Sequence, residues 1–215
     1  MPPARQTPAF RAVSSASLTL RKGPIMADNL QGVRVAILVA NGFEQVELEE
    51  PQKALTEAGA TTSIISPEGG SVRGMDHTDK GDDFAVELDI KQAHAKDFDA
   101  VLLPGGVVNA DKLRMNEDAR KFVRDIENSR KPIAVICHGP WLLVSAGLVK
   151  GRHLTSYYTL QDDIRNAGAE WTDNETVVDK NWVSSRQPDD IPAFNKEMLR
   201  LFAQNRKNAR AAGNA

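Results

Sequence analysis

Four short apolar runs recur along this chain, each joined to the next by a stretch of different periodicity, and that alternation restricts the possible folds more than any other feature. VRVAILVA (33–40), TTSIIS (61–66), DAVLLPGG (99–106) and PIAVIC (132–137) have the length and apolarity of strands covered on both faces. VELEEPQKALTEAG spaces its apolar residues for a helix and meets a stop signal at Gly59. MNEDARKFVRDIENSRK repeats the pattern, and PWLLVSAGLVKG reads as a helix with Pro140 in its first turn and Gly147 at its close. Beyond these, EWT, ETVVD and NWVSS offer short strands, and IPAFNKEMLRLFAQN an amphipathic closing helix. Strand and helix alternating in this way predict an α/β fold, a mostly parallel sheet with helices on both faces. The Gly- and Asp-rich stretch from Pro67 to Asp83 reads as a loop, ahead of a half-exposed strand FAVELDI (84–90).

Length and composition agree with one domain. At 215 residues and 41% hydrophobic the chain can fill a substantial core, and no apolar run approaches the ~18 residues that cross a bilayer. A net charge of -2 with no basic cluster argues against a nucleic-acid or membrane partner. We expect a single domain over 30–206, a disordered extension over 1–29 and a disordered tail over 207–215. The first 27 residues hold four basic residues, four prolines and no acid. They are compatible with disorder, with a transit peptide, or with an upstream start before Met26. One cysteine forms no intramolecular disulfide, so a reducing compartment such as the cytoplasm is expected.

In open parallel sheets, ligands bind beyond the carboxyl ends of the strands. That rule singles out three loops: NGFEQ after the first strand, PGGVVNAD after the fourth and CHGPW after the fifth. Cys137 stands where a buried strand ends and a helix begins. Backbone N–H groups and the helix dipole there favour a thiolate, and the corner resembles a nucleophile elbow. His138 is its neighbour, but adjacent side chains meet only if the corner is tight. The glycines of PGG let amides approach a substrate oxygen, forming an oxyanion hole with the amide after Cys137. Of the acids opening the first helix, Glu47, Glu49 and Glu50 read as dipole partners, while Glu44 follows an Asn-Gly-Phe turn and leans into the cleft. His77, His94 and His153 read as surface residues, and no metal-ligand spacing is present, so no metal is expected.

ILVANGFEQVEL, VLLPGG with its downstream NADKLR, AVICHGPWLLVSAGLVKGRHLTSY and DDIRNAGAEWTDNETVVDKNWVSSRQPDDIPAF together resemble the ThiJ/PfpI superfamily, in its intracellular-protease-like branch. The resemblance spans about residues 32 to 203. It implies a flavodoxin-like three-layer sandwich with Cys137 as nucleophile and His138 beside it. It also implies that Glu44 is the buried acid bonded to the thiol, and that the amides of Gly106 and His138 form the oxyanion hole. In this branch the histidine's third partner is a carboxylate from a neighbouring subunit, best matched by Asp111, so a homodimer or a trimer of dimers is expected. The resemblance implies cofactor-independent chemistry: glyoxalase or deglycase action on small carbonyls, peptidase or amidase action, or a redox-sensing, chaperone-like stress role. A glutamine amidotransferase is excluded, because only His153 follows His138 and no acid stands two residues beyond it.

Overall fold

The computed structural model describes residues 29–213. Its elements run β1 (Arg34–Leu38), β2 (Phe43–Glu44), α1 (Val46–Glu57), β3 (Thr61–Ser66), β4 (Ser71–Asp76), β5 (Asp79–Ala85), β6 (Leu88–Asp89), β7 (Ala100–Leu103), α2 (Val107–Met115) and α3 (Glu117–Asn128). They continue β8 (Ile133–Ile136), α4 (Pro140–Ser145), β9 (His153–Leu154), α5 (Gln161–Asn166), β10 (Glu170–Trp171), β11 (Thr176–Asp179), β12 (Trp182–Ser185) and α6 (Ile191–Gly213).

Seven strands make one sheet in the order β11-β12-β8-β7-β1-β3-β6. Every pairing in it is parallel except β11 with β12. Alternate side chains of a strand face opposite ways, and the core divides accordingly. Val35, Ile37 and Val39 pack under Leu48 and Leu55 of α1 and Phe194, Met198 and Phe202 of α6. Ala36, Leu38, Val101, Leu103 and Val135 face Leu113, Phe122, Val123, Ile126 and Leu142 on α2, α3 and α4. The result is the expected flavodoxin-like three-layer sandwich. Helix α3 is started by Asn116, whose side chain accepts from the Ala119 N–H at 2.9 Å.

A buried charge ties α3 to the far edge of the sheet. Arg152 bonds Glu127, Asn181 at 3.0 Å and the Asp179 carbonyl at 3.2 Å, and lies 4.3 Å over the Trp182 ring. Glu127 in turn accepts from the Trp182 indole at 2.7 Å.

Three expectations are corrected. The stretch 67–83 is not a loop: β4 and β5 form an antiparallel hairpin, joined by a turn in which His77 adopts a positive φ of 54°. Most of its side chains face solvent, so backbone pairing holds it and no apolar alternation announces it. PGGVVNAD is likewise no loop, since α2 starts directly after Gly106. Its first two residues, Val107 and Val108, are exposed while Asn109 is buried, which inverts the pattern a sequence reader uses. Finally, α6 runs on to Gly213 through most of the expected tail, where Lys, Arg and Ala are strong helix formers. Asn29 is held by Arg206, whose guanidinium donates to its carbonyl at 2.7 Å; the expectation for residues 1–28 lies outside the described residues.

Candidate active site

β8 delivers Cys137 at its carboxyl end, with α4 beginning three residues later. Cys137 has φ +60°, a left-handed conformation costly for a residue with a side chain. The surroundings impose it. The Cys137 N–H donates to Ser185 O on β12 at 3.1 Å, its carbonyl accepts from Tyr157 at 2.9 Å, and the Gly139 N–H closes the turn onto Ile136 O at 2.9 Å. A Cβ on Gly139 would stand 2.7 Å from Leu103 O, so the turn admits only glycine there. The corner is tight enough to bring neighbours together: His138 Nδ1 lies 3.1 Å from Cys137 Sγ. The imidazole packs against Tyr157 at 4.8 Å and Trp141 at 5.4 Å, and its Nε2 is 3.5 Å from Thr159 Oγ1.

The buried acid at the thiol is Glu47, and the assignment to Glu44 is corrected. Phe43 and Glu44 form β2, which pairs with Gly74 and Met75 of β4. Successive strand residues face opposite sides, so Phe43 enters the core against Phe84 while Glu44 turns to the hairpin and accepts from the His77 N–H at 3.3 Å. Glu47 sits in the first turn of α1, where side chains lean toward the helix start. It is fully buried, and its Oε2 accepts from the Gly105 N–H at 2.7 Å. A Cβ on Gly105 would lie 2.6 Å from Cys137 Cβ, 2.6 Å from Glu47 Oε2 and 2.8 Å from His138 N. Gly105 is thus the gap through which thiol, acid and amide converge.

Asn109 escaped the sequence reading altogether. Fully buried in α2, it accepts from the Ala40 N–H at 2.7 Å and donates to Pro104 O at 3.0 Å and Gly105 O at 2.8 Å. It therefore clamps the end of β7 to the loop after β1. Its signal was a polar residue directly after a Val-Val pair.

Burial governs the titration of the site. The Glu47 carboxyl is pushed up from 4.5 to about 8, chiefly by desolvation, with the Gly105 amide and the thiol pulling the other way and Glu44 adding repulsion. His138 is driven down from 6.5 to about 4 by burial. Desolvation, then the charge of Glu47, raise the Cys137 thiol well above its ordinary value, and the amides of Gly106 and His138 only partly offset this. The expectation of a thiolate favoured by the helix start is corrected on that ground: α4 has six residues, and its dipole is outweighed by loss of water. At neutral pH the site holds a thiol, a carboxylic acid and a neutral imidazole.

These groups open into a cavity of about 850 Å³ walled by Met75, Val107, Val108, Trp141, Tyr157 and Pro188. Glu44 and His77 stand on its rim, so His77 is nearer the site than its sequence context suggests. His94 is exposed, and His153 Nε2 lies 3.0 Å from Thr172 Oγ1, away from the cavity. Asp111 lies on the exposed side of α2 and does not line the cavity. Among the described residues, one grouping places donor atoms within 4.8 Å of one another: Glu44, Asp76 and His77 at the hairpin tip. Asp76 and His77 are both exposed.

A family model described as the DJ-1/PfpI family matches residues 33–201. The chain belongs to this family. It is 43% identical over 170 residues to Deglycase PfpI of Pyrococcus furiosus, covering 79% of this chain and 99% of that one. It is 42% identical over 172 residues to Protein/nucleic acid deglycase 2 of Escherichia coli, covering 79% and 97%. The ThiJ/PfpI domain protein of Brachyspira murdochii superposes with a TM-score of 0.74 over 81% of this chain and 98% of its own, at 20% identity, a likeness of fold. No helix among the described residues is long and apolar enough to cross a membrane.

Proposed function

We propose that this member of the DJ-1/PfpI family is a cysteine enzyme of the glyoxalase or deglycase type, acting on small reactive carbonyls and early glycation adducts in the cytoplasm. The observation that carries the reading is the convergence of the Cys137 thiol, the neutral Glu47 carboxyl and the neutral His138 imidazole on one cavity. Relatives matched over nearly the whole of their own length bear deglycase names. In the proposed reaction Cys137 Sγ adds to the carbonyl carbon while its proton passes to His138 Nδ1, 3.1 Å away. The oxygen becomes an alkoxide, held by the amides of Gly106 and His138, and takes the proton back to complete a hemithioacetal. With methylglyoxal, the neutral His138 imidazole moves the proton of the thiol-bearing carbon to the neighbouring carbon, while the Glu47 carboxyl gives its proton to the neighbouring oxygen and recovers the one on the hydroxyl, leaving a lactoyl thioester. Water then releases lactate and restores the thiol. Glycation adducts enter the same path by losing the amine that carries them.

Consumption of methylglyoxal and of glycated peptide should vanish in Cys137→Ala. Equal rates in both proteins, above that of free thiols, refute the proposal. Turnover of casein or a fluorogenic peptide, lost with Cys137→Ala and unmatched by carbonyl turnover, establishes the peptidase reading instead.

Among the described residues the imidazole has no carboxylate partner, and we propose that Asp111 of a second copy supplies one across a homodimer or a trimer of dimers. Val107, Asp111 and Met115 recur at helical spacing on an exposed side of α2, and Val107 also lines the cavity. Asp111→Ala tests this: lost activity with unchanged mass in solution supports the trans-subunit acid, and full activity sinks it.

A further inference from the structure

A second recess lies at the amino ends of the parallel strands. Val33 leads into β1, Ala100 opens β7 and Pro132 leads into β8, while Phe202 closes one side from α6. All four are buried, and they floor a cavity of about 820 Å³, close in size to the one over Cys137. Cys137 follows the carboxyl end of β8, so the two cavities stand at opposite ends of the sheet.

The rim of this recess is cationic. Arg130, Lys131 and Arg206 line it, against one acid among the described residues, Asp99. Asp99 is already engaged: it accepts the Arg34 N–H at 2.8 Å, and the Arg34 guanidinium lies 3.9 Å away. The cations, by contrast, have neutral partners. Lys131 Nζ donates to the carbonyls of Ala95 at 2.8 Å and Phe98 at 2.6 Å, and Arg206 donates to the Asn29 carbonyl at 2.7 Å. A carbonyl satisfies an N–H without cancelling the charge, so a positive field persists at the mouth. Burial accordingly lowers the Lys131 pKa, and Asp99 only partly opposes it.

A second observation is the backbone at Arg130. It follows the end of α3 in the left-handed region, φ +53°, with its N–H donating to Glu127 O at 2.8 Å. Glycine ordinarily takes this place after a helix, because a side chain there is strained. Here an exposed guanidinium stands at the mouth instead. Asn205 Nδ2 donates to Arg130 O at 3.3 Å, so α6 and the end of α3 share that mouth. An apolar floor under cations suits a molecule with both characters. Inorganic phosphate or a nucleic-acid backbone would leave the floor unused, and a neutral hydrophobe would leave the cations unused.

We propose that this recess is a second binding site, one that takes a small organic anion. Its compact apolar body sits on Val33, Ala100, Pro132 and Phe202, and its carboxylate is received by Arg130 and Arg206. The site is independent of the chemistry at Cys137 and stands whether or not that chemistry is carbonyl-directed.

The probe is 2-naphthoate. Naphthalene-2-methanol supplies the body without the charge, and inorganic phosphate the charge without the body. In equilibrium dialysis the full chain should take up one naphthoate per chain with a Kd below about 1 mM, and bind each control at least about tenfold more weakly. Arg130→Gly removes a cation where glycine adopts the backbone freely, so the fold is kept. Combined with Arg206→Gln, it should weaken naphthoate by about tenfold and leave the alcohol unchanged. Cys137 is the chain's one cysteine, so thiol labelling with a methanethiosulfonate reports its cavity alone. The labelling rate should be the same with and without saturating naphthoate. Naphthoate that slows labelling has entered the cavity over Cys137, which overturns the proposal. An affinity that Arg130→Gly with Arg206→Gln leaves untouched overturns it too. Failure of the full chain to take up naphthoate, because the segment before Asn29 or a second copy fills the recess, refutes it equally.

Discussion

Replacing Glu47 with glutamine removes one titration and disturbs little else. The amide has the shape of the protonated carboxyl, and its oxygen can accept the Gly105 N–H now bonded at 2.7 Å. Burial holds the Glu47 carboxyl protonated to about pH 8 against an ordinary 4.5, so the folded chain keeps a proton that the unfolded chain releases. The stability this contributes is fully present below pH 4.5 and is lost as pH rises through about 8. At about 1.4 kcal/mol per pH unit, the loss across that interval amounts to about 5 kcal/mol, a large part of a domain's margin. His138 acts in the opposite sense: held neutral down to about 4 against 6.5, it contributes stability that grows as pH rises through that window. Both proteins contain His138, so it cancels in their difference. Urea unfolding followed by tryptophan fluorescence at pH 5, 6, 7 and 8 should show Glu47→Gln gaining on the wild type by about 1.4 kcal/mol per unit. A difference independent of pH would mean that Glu47 is already ionised in the fold, and the account of its burial would be wrong.

Gly105→Ala puts a methyl group within 2.6 Å of both Cys137 Cβ and Glu47 Oε2; it should destabilise by about 3 kcal/mol in urea unfolding and abolish thiol-dependent activity together. Asn109→Ala leaves the Ala40 N–H and the carbonyls of Pro104 and Gly105 without their buried partner, and should cost about 3 kcal/mol with a slower reaction at Cys137, read by labelling rate. Arg152→Ala strips the half-buried Glu127 of its cation and should cost about 3 kcal/mol, yet leave the labelling rate of the folded protein unchanged, because the network lies away from the cavity.

The central strands were legible because each is buried on both faces, so apolar run and strand coincide in Ala100–Leu103 and Ile133–Ile136. Cys137 was legible for a related reason: the apolar run stops at Ile136, and a His-Gly-Pro turn follows at once. PGG and His138 came with the same two strand ends. The β4–β5 hairpin was invisible because backbone pairing holds it, and backbone groups are the same in every residue.

The choice between Glu44 and Glu47 shows where sequence reasoning stops. By itself the chain determined that several acids stand where the first strand meets the first helix, close to a cleft. It could not say which faces the thiol, because β2 is a two-residue strand that exists only through its pairing with Gly74 and Met75, some thirty residues on. That pairing turns Glu44 to the hairpin and leaves Glu47 as the acid beneath Gly105. The protonation of the site was decided at the same level. A helix start and two amides argue for a thiolate, and both are local; the loss of water around Cys137 and Glu47 outweighs them, and only the closed tertiary structure removes that water.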